Sequence, residues 1–228
     1  MLLLALPVRA QTAETWIRRW RVEQGEAAVT LARLRLKEVA DYSMEGGFGA
    51  KNMQIASEVV IDRAHATTSR APTHITIGGE TFEPQEGRGR RRLQSPVRRD
   101  LLAAIDVLLF PERLLGEQAP SAPLDTERVD GHNLLRLQTI ASDPESPIER
   151  VTWLFGRRSG RLVRTRSVVH GDDRGTLVVV VNYQRSGGLD LPISREFEGS
   201  FATHRRTRSF TVLIKSTATF QLLALESL

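Results

Sequence analysis

The sequence predicts an α+β protein built on a curved antiparallel sheet, a half-open barrel of about ten strands with helices covering its concave apolar face. Three observations carry that expectation. Apolar and polar residues alternate with a period of two over long stretches on both sides of the chain's middle, as half-buried strands require. Glycine-rich or Asp-Gly turns separate those stretches. One strongly apolar helix lies between the two sets of strands and needs a surface to lie against.

The chain opens with MLLLALPVRAQT, which reads as the end of a secretory signal: an apolar run from Leu2 to Val8, then a small residue, Ala10, before Gln11. The positively charged segment that normally precedes such a run is missing, so the true start codon stays open. A short apolar tail packed on the core is the alternative. Residues 1–10 read as a signal-peptide remnant and 11–228 as one domain, since no linker composition divides them. No other stretch approaches the ~20 apolar residues that span a bilayer.

AETWIRRWRVEQG places Trp16, Ile17 and Trp20 at helical spacing, with Gly25 as the expected stop. From Arg33 the period changes to two: Leu34, Leu36, Ala40, Tyr42 and Met44 alternate with Arg33, Arg35, Lys37, Asp41 and Ser43. Gly46, Gly47 and Gly49 make a turn, and strands are expected at Gln54–Arg63, around His65–Ser69 and at Thr73–Ile77. PQEGRGRRRLQ reads as a basic loop. In SPVRRDLLAAIDVLLF, Ser95 is placed to cap the helix and Pro96 sits where a missing N–H costs nothing. Leu101, Leu102, Ile105, Leu108 and Leu109 form its apolar face, Arg99 and Asp106 sit among or beside that face, and Pro111 limits continuation.

The second half reads almost entirely as strands. TERVDGHNLLRLQTI turns at Asp130-Gly131, and IERVTWLFGRRSGRLVRTRSVV is a hairpin turning at Ser159-Gly160. HGDDRG turns into GTLVVVVNYQ, Gly187-Gly188 turns out of it, and PISREFEGSF and RSFTVLIKSTATFQL close the chain. The run Leu177–Val181 is apolar throughout. Leu177, Val179, Val181 and Tyr183 face one side and Val178 and Val180 the other, so both sides are expected to be kept from water, under packed helices or lining an apolar cavity.

Composition bounds the chemistry. Apolar residues make up 40% and charged residues 26%, as in ordinary globular proteins. A net charge of +5 and a pI near 10.3 raise nucleic acid or an anionic membrane as partners. The basic residues are 29 arginines and 3 lysines, which reads in part as the codon bias of a GC-rich genome. With no cysteine there is no disulfide, thiolate nucleophile, cysteine zinc site or lipid-modified N-terminal cysteine. His65, His74, His132, His170 and His204 have no metal-ligand spacing, no G-x-S-x-G elbow occurs, and GGFGAKN lacks the spacing and the Ser/Thr of a phosphate loop. HGDDRG reads as a polar turn rather than an acid–base site. A non-enzyme with no cofactor and no metal is expected.

The order VDG turn and strand (Val129 to Leu137), W-x-F strand and hairpin (Trp153 to Arg164), then VNYQRSGGLDLP and two closing strands, behind a signal, a first helix, a first set of strands and a middle helix, resembles the periplasmic lipoprotein carriers of the LolA type and the outer-membrane lipoprotein-sorting superfamily. The resemblance covers most of the mature chain. It implies a half-open barrel with a helical lid over an apolar cavity, shielding acyl chains in transit to the outer membrane between a membrane donor complex and an outer-membrane acceptor. Leu101, Leu102, Ile105, Leu108 and Leu109 become lid candidates, and Val178, Val180, Phe197 and Phe210 cavity candidates; all could equally be ordinary core.

Arg88, Arg90, Arg91, Arg92, Arg98 and Arg99 crowd one segment, and THRRTRS adds Arg205, Arg206 and Arg208. Exposed aromatics or a groove-entering helix would accompany a nucleic-acid surface, and neither is legible, so no nucleic acid is expected. Arg90, Arg91, Arg92, Arg98 and Arg99 are candidates for contact with lipid head groups or an acidic partner, against a solvated loop. The expectation is a monomeric periplasmic carrier of an acylated lipoprotein or lipid. The alternatives are a lipoprotein-sensing regulatory domain of the same fold and a packed, non-catalytic interaction scaffold. An apolar cavity behind the middle helix separates the first two from the third.

Overall fold

The alternation that marks the strands also decides which face of the sheet is dry. The computed structural model describes residues 12–226 apart from 31–32, 47–48, 64, 84–96, 98, 172–174 and 206–207. Along the chain run α1 (Ala13–Thr30), β1 (Arg33–Gly46), β2 (Lys51–Asp62), β3 (Thr67–Ile77), β4 (Glu80–Phe82), α2 (Arg99–Val107), α3 (Pro111–Gly116), β5 (Gln118–Pro120), β6 (Asp125–Val129), β7 (His132–Ala141), β8 (Ile148–Gly156), β9 (Leu162–His170), β10 (Thr176–Ser186), β11 (Leu189–Arg205) and β12 (Arg208–Glu226). The strands form one open antiparallel sheet in the order β4-β3-β2-β1-β12-β11-β10-β9-β8-β7-β5, and β6 joins β5 along the free edge of β7.

Register lines the apolar phases up across the sheet. Ala40 on β1 faces Ile55 on β2 and Ala218 on β12, and Phe197 on β11 faces Ser216 and Val179. Val179 lies opposite Ser167, and Val151 on β8 opposite Ser167 and Thr139. These side chains share one face, and the three helices pack against it. There Ile17, Trp20, Leu101, Ile105, Leu108, Leu114 and Leu115 join Trp153, Phe155, Val179, Val181 and Phe197 in one buried cluster. A second cluster on the same face gathers Leu34, Leu36, Val59, Ile61, Leu109, Phe110, Leu189, Leu191 and Phe220.

Several sequence expectations change here. The expected half-open barrel of about ten strands is instead an open sheet of twelve strands, with three helices. α1 runs through Gly25 to Thr30, because Trp20 and Gln24 are buried and hydrogen-bonded to the sheet, which outweighs the roughly 1 kcal/mol that a helical glycine costs. The two strands expected between His65 and Ile77 are one strand, β3. Its Pro72 sits at a bulge on the outer side, beyond the short β4, where no ladder bond is lost. α2 does not continue through Pro111, as expected, and Pro111 itself starts a separate short helix, α3, since a first-turn residue has no N–H obligation. The Asp130-Gly131, Ser159-Gly160 and Gly187-Gly188 turns stand where expected, and Asp130 (φ 49°) and Gly131 (φ 81°) both adopt the left-handed conformation a tight hairpin needs. Residues 1–10, the helix cap at Ser95 and Pro96, and the tip of HGDDRG lie outside the described residues.

Candidate functional site: the α2–α3 segment and its arginines

Of the expected lid residues, Leu101, Ile105 and Leu108 are buried in the larger cluster, Leu102 packs at its margin, and Leu109 belongs to the second cluster. The segment α2–α3 therefore lies across both. Among the described residues, its own leucines fill the space beneath it. Phe197 is buried in the same cluster, and Phe210 is partly buried on β12. Arg90, Arg91, Arg92 and Arg98 lie outside the described residues, and Arg99 is the first residue of α2.

The seam between the two clusters is ionic. Glu38 stands on β1 between Leu36 of the second cluster and Ala40 of the first. It accepts from Arg70 Nε at 2.6 Å and from Arg195 Nη2 at 2.6 Å. Arg70 Nη1 also donates to Asp106 Oδ2 on α2, and Arg195 Nη1 lies 3.6 Å from Asp106 Oδ1. The Arg195 side chain is 0% exposed and that of Glu38 3%, and the guanidinium of Arg195 rests over the rings of Phe197 and Phe220 at 5.8 and 5.6 Å. Burial pushes the Glu38 carboxyl up, but Arg195 and Arg70 outweigh it and hold the group below its ordinary value. For Arg70, burial opposes the charge, while Asp106 and Glu38 raise its value above the ordinary one. Among the described residues, Arg195 Nε and Nη1, Arg70 Nη2 and Asp106 Oδ1 are buried without a hydrogen-bond partner.

The second half of the cover repeats the pattern. Glu112 on α3 pairs with Arg63, whose side chain is 3% exposed and whose Nε and Nη1 have no hydrogen-bond partner among the described residues. Between the two ion pairs, Tyr183 Oη on β10 donates to the carbonyl of Leu108 at 2.7 Å, and burial raises its phenol above the ordinary value. Among the described residues, the ion pairs of Asp106 and Glu112 and the Tyr183–Leu108 hydrogen bond fasten α2–α3 to a largely apolar face. α1 is held elsewhere. Asp190, in the SGGLDLP turn and strand, accepts from Trp20 Nε1 at 3.1 Å, from Leu162 N at 3.0 Å and from Arg185, while its own N–H donates to Gln24.

Val178 and Val180 point to the face opposite the helices. There they join Leu154, Arg136, Arg164, Arg166, Glu196, Glu198 and Lys215 in lining a groove of about 550 Å³. This answers the apolar run of β10: Leu177, Val179, Val181 and Tyr183 serve the helix-covered core, and Val178 and Val180 floor a groove with a charged rim. Glu38, Arg63, Arg70, Glu112 and Arg195 are not among the residues singled out from the sequence. A signal for two of them exists: Glu38 and Arg195 occupy the inward phase of strands whose neighbours in that phase are apolar.

No protein-family model matches the sequence, and the search of curated proteins finds no match. Among solved structures, the chain is similar to a DUF1329 family protein from Desulfovibrio piger (10% identity, 91% of this chain and 92% of that one, TM-score 0.40). It is similar to an outer membrane lipoprotein-sorting protein domain from Vibrio parahaemolyticus (7% identity, 90% and 91% coverage, TM-score 0.36). A LolA superfamily protein from Nitrosomonas europaea is similar at 10% identity, 92% and 94% coverage and a TM-score of 0.34.

Proposed function

We propose that this chain is an exported, non-catalytic carrier that takes up the acyl chains of a lipid or lipoprotein on its helix-covered sheet face, with α2–α3 as a displaceable cover. The observation that carries the reading is the fastening of that cover: Asp106 reaches Arg70 and Arg195 of the sheet, and Glu112 reaches buried Arg63 just beyond the end of β2, amid apolar side chains. Buried ion pairs contribute little net stability compared with apolar packing of the same volume. A segment that only closed a core would be held better by leucines alone; paired charges give it one defined seat that can be left and found again. The energies fit an exchange. Leu101, Ile105, Leu108 and Leu109 give up about 2 kcal/mol each on leaving, some 8 kcal/mol together. An acyl chain burying about a dozen methylenes returns about 10 kcal/mol at roughly 0.8 kcal/mol each.

In this reading the partners are an acylated lipoprotein or lipid, a membrane donor and an outer-membrane acceptor, and the compartment is the periplasm. Phe197 and Phe210 are assigned to the face of the exchange, Val178 and Val180 to the groove on the opposite face, and the basic segment at Arg90, Arg91, Arg92, Arg98 and Arg99 to head groups or an acidic partner. The burial of Leu101, Ile105, Leu108 and Leu109 supports a second reading, a packed scaffold whose partner sits in the groove over Val178 and Val180.

Mass spectrometry of organic extracts and of intact mature protein, purified without detergent, separates the two. Stoichiometric acyl lipid or bound lipoprotein is the expected result. An apo chain that also ignores an added acylated peptide overturns the carrier reading in favour of the scaffold. Release of the cargo to acceptor membranes identifies a carrier, whereas cargo that only changes affinity for a protein partner identifies a sensor.

A further inference from the structure

The residues that hold α2 down carry information about the cargo that replaces it. When α2 lifts it takes Asp106 away, and Glu38 alone is left facing the two guanidiniums of Arg70 and Arg195. Arg195 is fully buried, with Nε and Nη1 already lacking acceptors in the covered state, and Arg70 Nη2 lacks one as well. Displacement of α3 strips Arg63 of Glu112 in the same way. A neutral acyl chain entering this face would restore the apolar contacts and leave an excess of cationic donors buried without partners, a cost of several kcal/mol for a desolvated charge. A chain that brings its own anion restores both.

We propose that the cover is an internal mimic of its ligand, and that the cargo is an acyl chain carrying an anionic group, a carboxylate or phosphate, which takes the place of Asp106 against Arg70 and Arg195. The sequence of the cover has that composition in miniature: Leu101, Ala104 and Ile105 fill the larger apolar cluster, and Asp106 follows at the ionic seam. Guanidiniums suit both anions, through paired N–H donors that match two oxygens of either group. This inference rests on the carrier reading and narrows it, because an uncharged acyl glyceride supplies no anion for the seam.

Three ligands sharing one acyl chain test it on the delipidated full-length protein: oleate, oleoyl lysophosphatidate and uncharged monoolein, titrated by tryptophan fluorescence and calorimetry. At least one anionic ligand is expected to bind about tenfold or more tightly than monoolein, the size of one lost charge-assisted contact. Whether oleate or lysophosphatidate leads tells carboxylate from phosphate. Asp106→Asn, which weakens the internal anion that every cargo must displace and keeps the side chain's shape, is expected to tighten all three ligands by a similar factor, about threefold to tenfold, and to preserve the preference for the anionic ones. Equal binding of all three ligands overturns the inference while acyl binding itself stands. An Asp106→Asn variant that gains affinity for none of the ligands overturns it too, because Asp106 then does not compete with cargo for the seam. Binding of none of the three removes the carrier reading and this inference together.

Discussion

Glu38 stands where the alternation of β1 calls for an apolar side chain, and everything unusual about the helix side of this sheet follows from that position. Its neighbours in phase, Leu36 and Ala40, belong to the two separate clusters, so one carboxylate and the arginines it gathers divide an apolar face into two fields. The group's folded value is depressed, so its contribution is present above the unfolded carboxylate value of about 4.3 and is lost as pH falls through the folded value. Glu38→Gln is expected to lower stability at pH 7 by about 3 kcal/mol, because it leaves buried guanidiniums short of charge. It is also expected to flatten the acid limb of the melting temperature between pH 5 and pH 2 (a window set by roughly the carboxylate range). Parallel acid limbs in variant and wild type would remove Glu38 from the list of groups that couple folding to pH. A charge in an apolar phase was legible for Glu38 and for Asp106. The partners were not: Arg70 lies 32 residues from Glu38, and Arg195 lies 157 residues away. Arg195 stands in an inward phase, but the sequence gives no means of telling which of 29 arginines meets Glu38.

The middle helix was read from its leucines, yet its relation to the sheet depends on a break the periodicity does not show. α2 ends at Val107, Leu108 to Phe110 turn, and Pro111 begins α3, so Asp106 and Glu112 come to separate arginines instead of lying along one helix. If cargo enters beneath this segment, the segment must leave its seat. The chain's lack of cysteine gives a direct test. A Cβ built on Gly171, beside the start of α2, would lie 3.0 Å from Leu101 Cγ, within reach of a disulfide. Leu101→Cys with Gly171→Cys costs roughly 2 kcal/mol of packing when reduced. The oxidised protein is expected to lose binding of an acylated peptide at least tenfold (about 1.4 kcal/mol), and dithiothreitol is expected to restore it. Equal binding by the oxidised and reduced forms would mean that ligand is held without movement of α2, and the cover would become ordinary core.

The sheet is assembled around its last strand. β12 pairs with β1 over its whole length and with β11 on the other side, so strands from the first third of the chain join the second half only through it. The hairpins on the β5–β11 side were legible because their turns are local: Asp130-Gly131, Ser159-Gly160 and Gly187-Gly188. The pairing of the first long strand with the last was not, because alternation fixes which residues share a face and says nothing about which strand lies beside which. Short β4 and β5 escaped for a simpler reason, since three residues carry no period. If residues 11–228 are one domain, the two flanks must unfold together. Trp16, Trp20 and Trp153 all report on the β7–β11 flank, packed around Phe155, while the β1–β4 flank contains no tryptophan. Tryptophan fluorescence and far-UV circular dichroism are therefore expected to give one coincident denaturant transition. Ala218 is bracketed by Ala40 on one side and Arg195 on the other, so Ala218→Pro interrupts the central strand between both neighbours. It is expected to abolish folding or to separate the two probes, with the dichroic signal of the β1–β4 flank lost first. Separate transitions in the unaltered protein would instead mean two units that merely share an edge at β12.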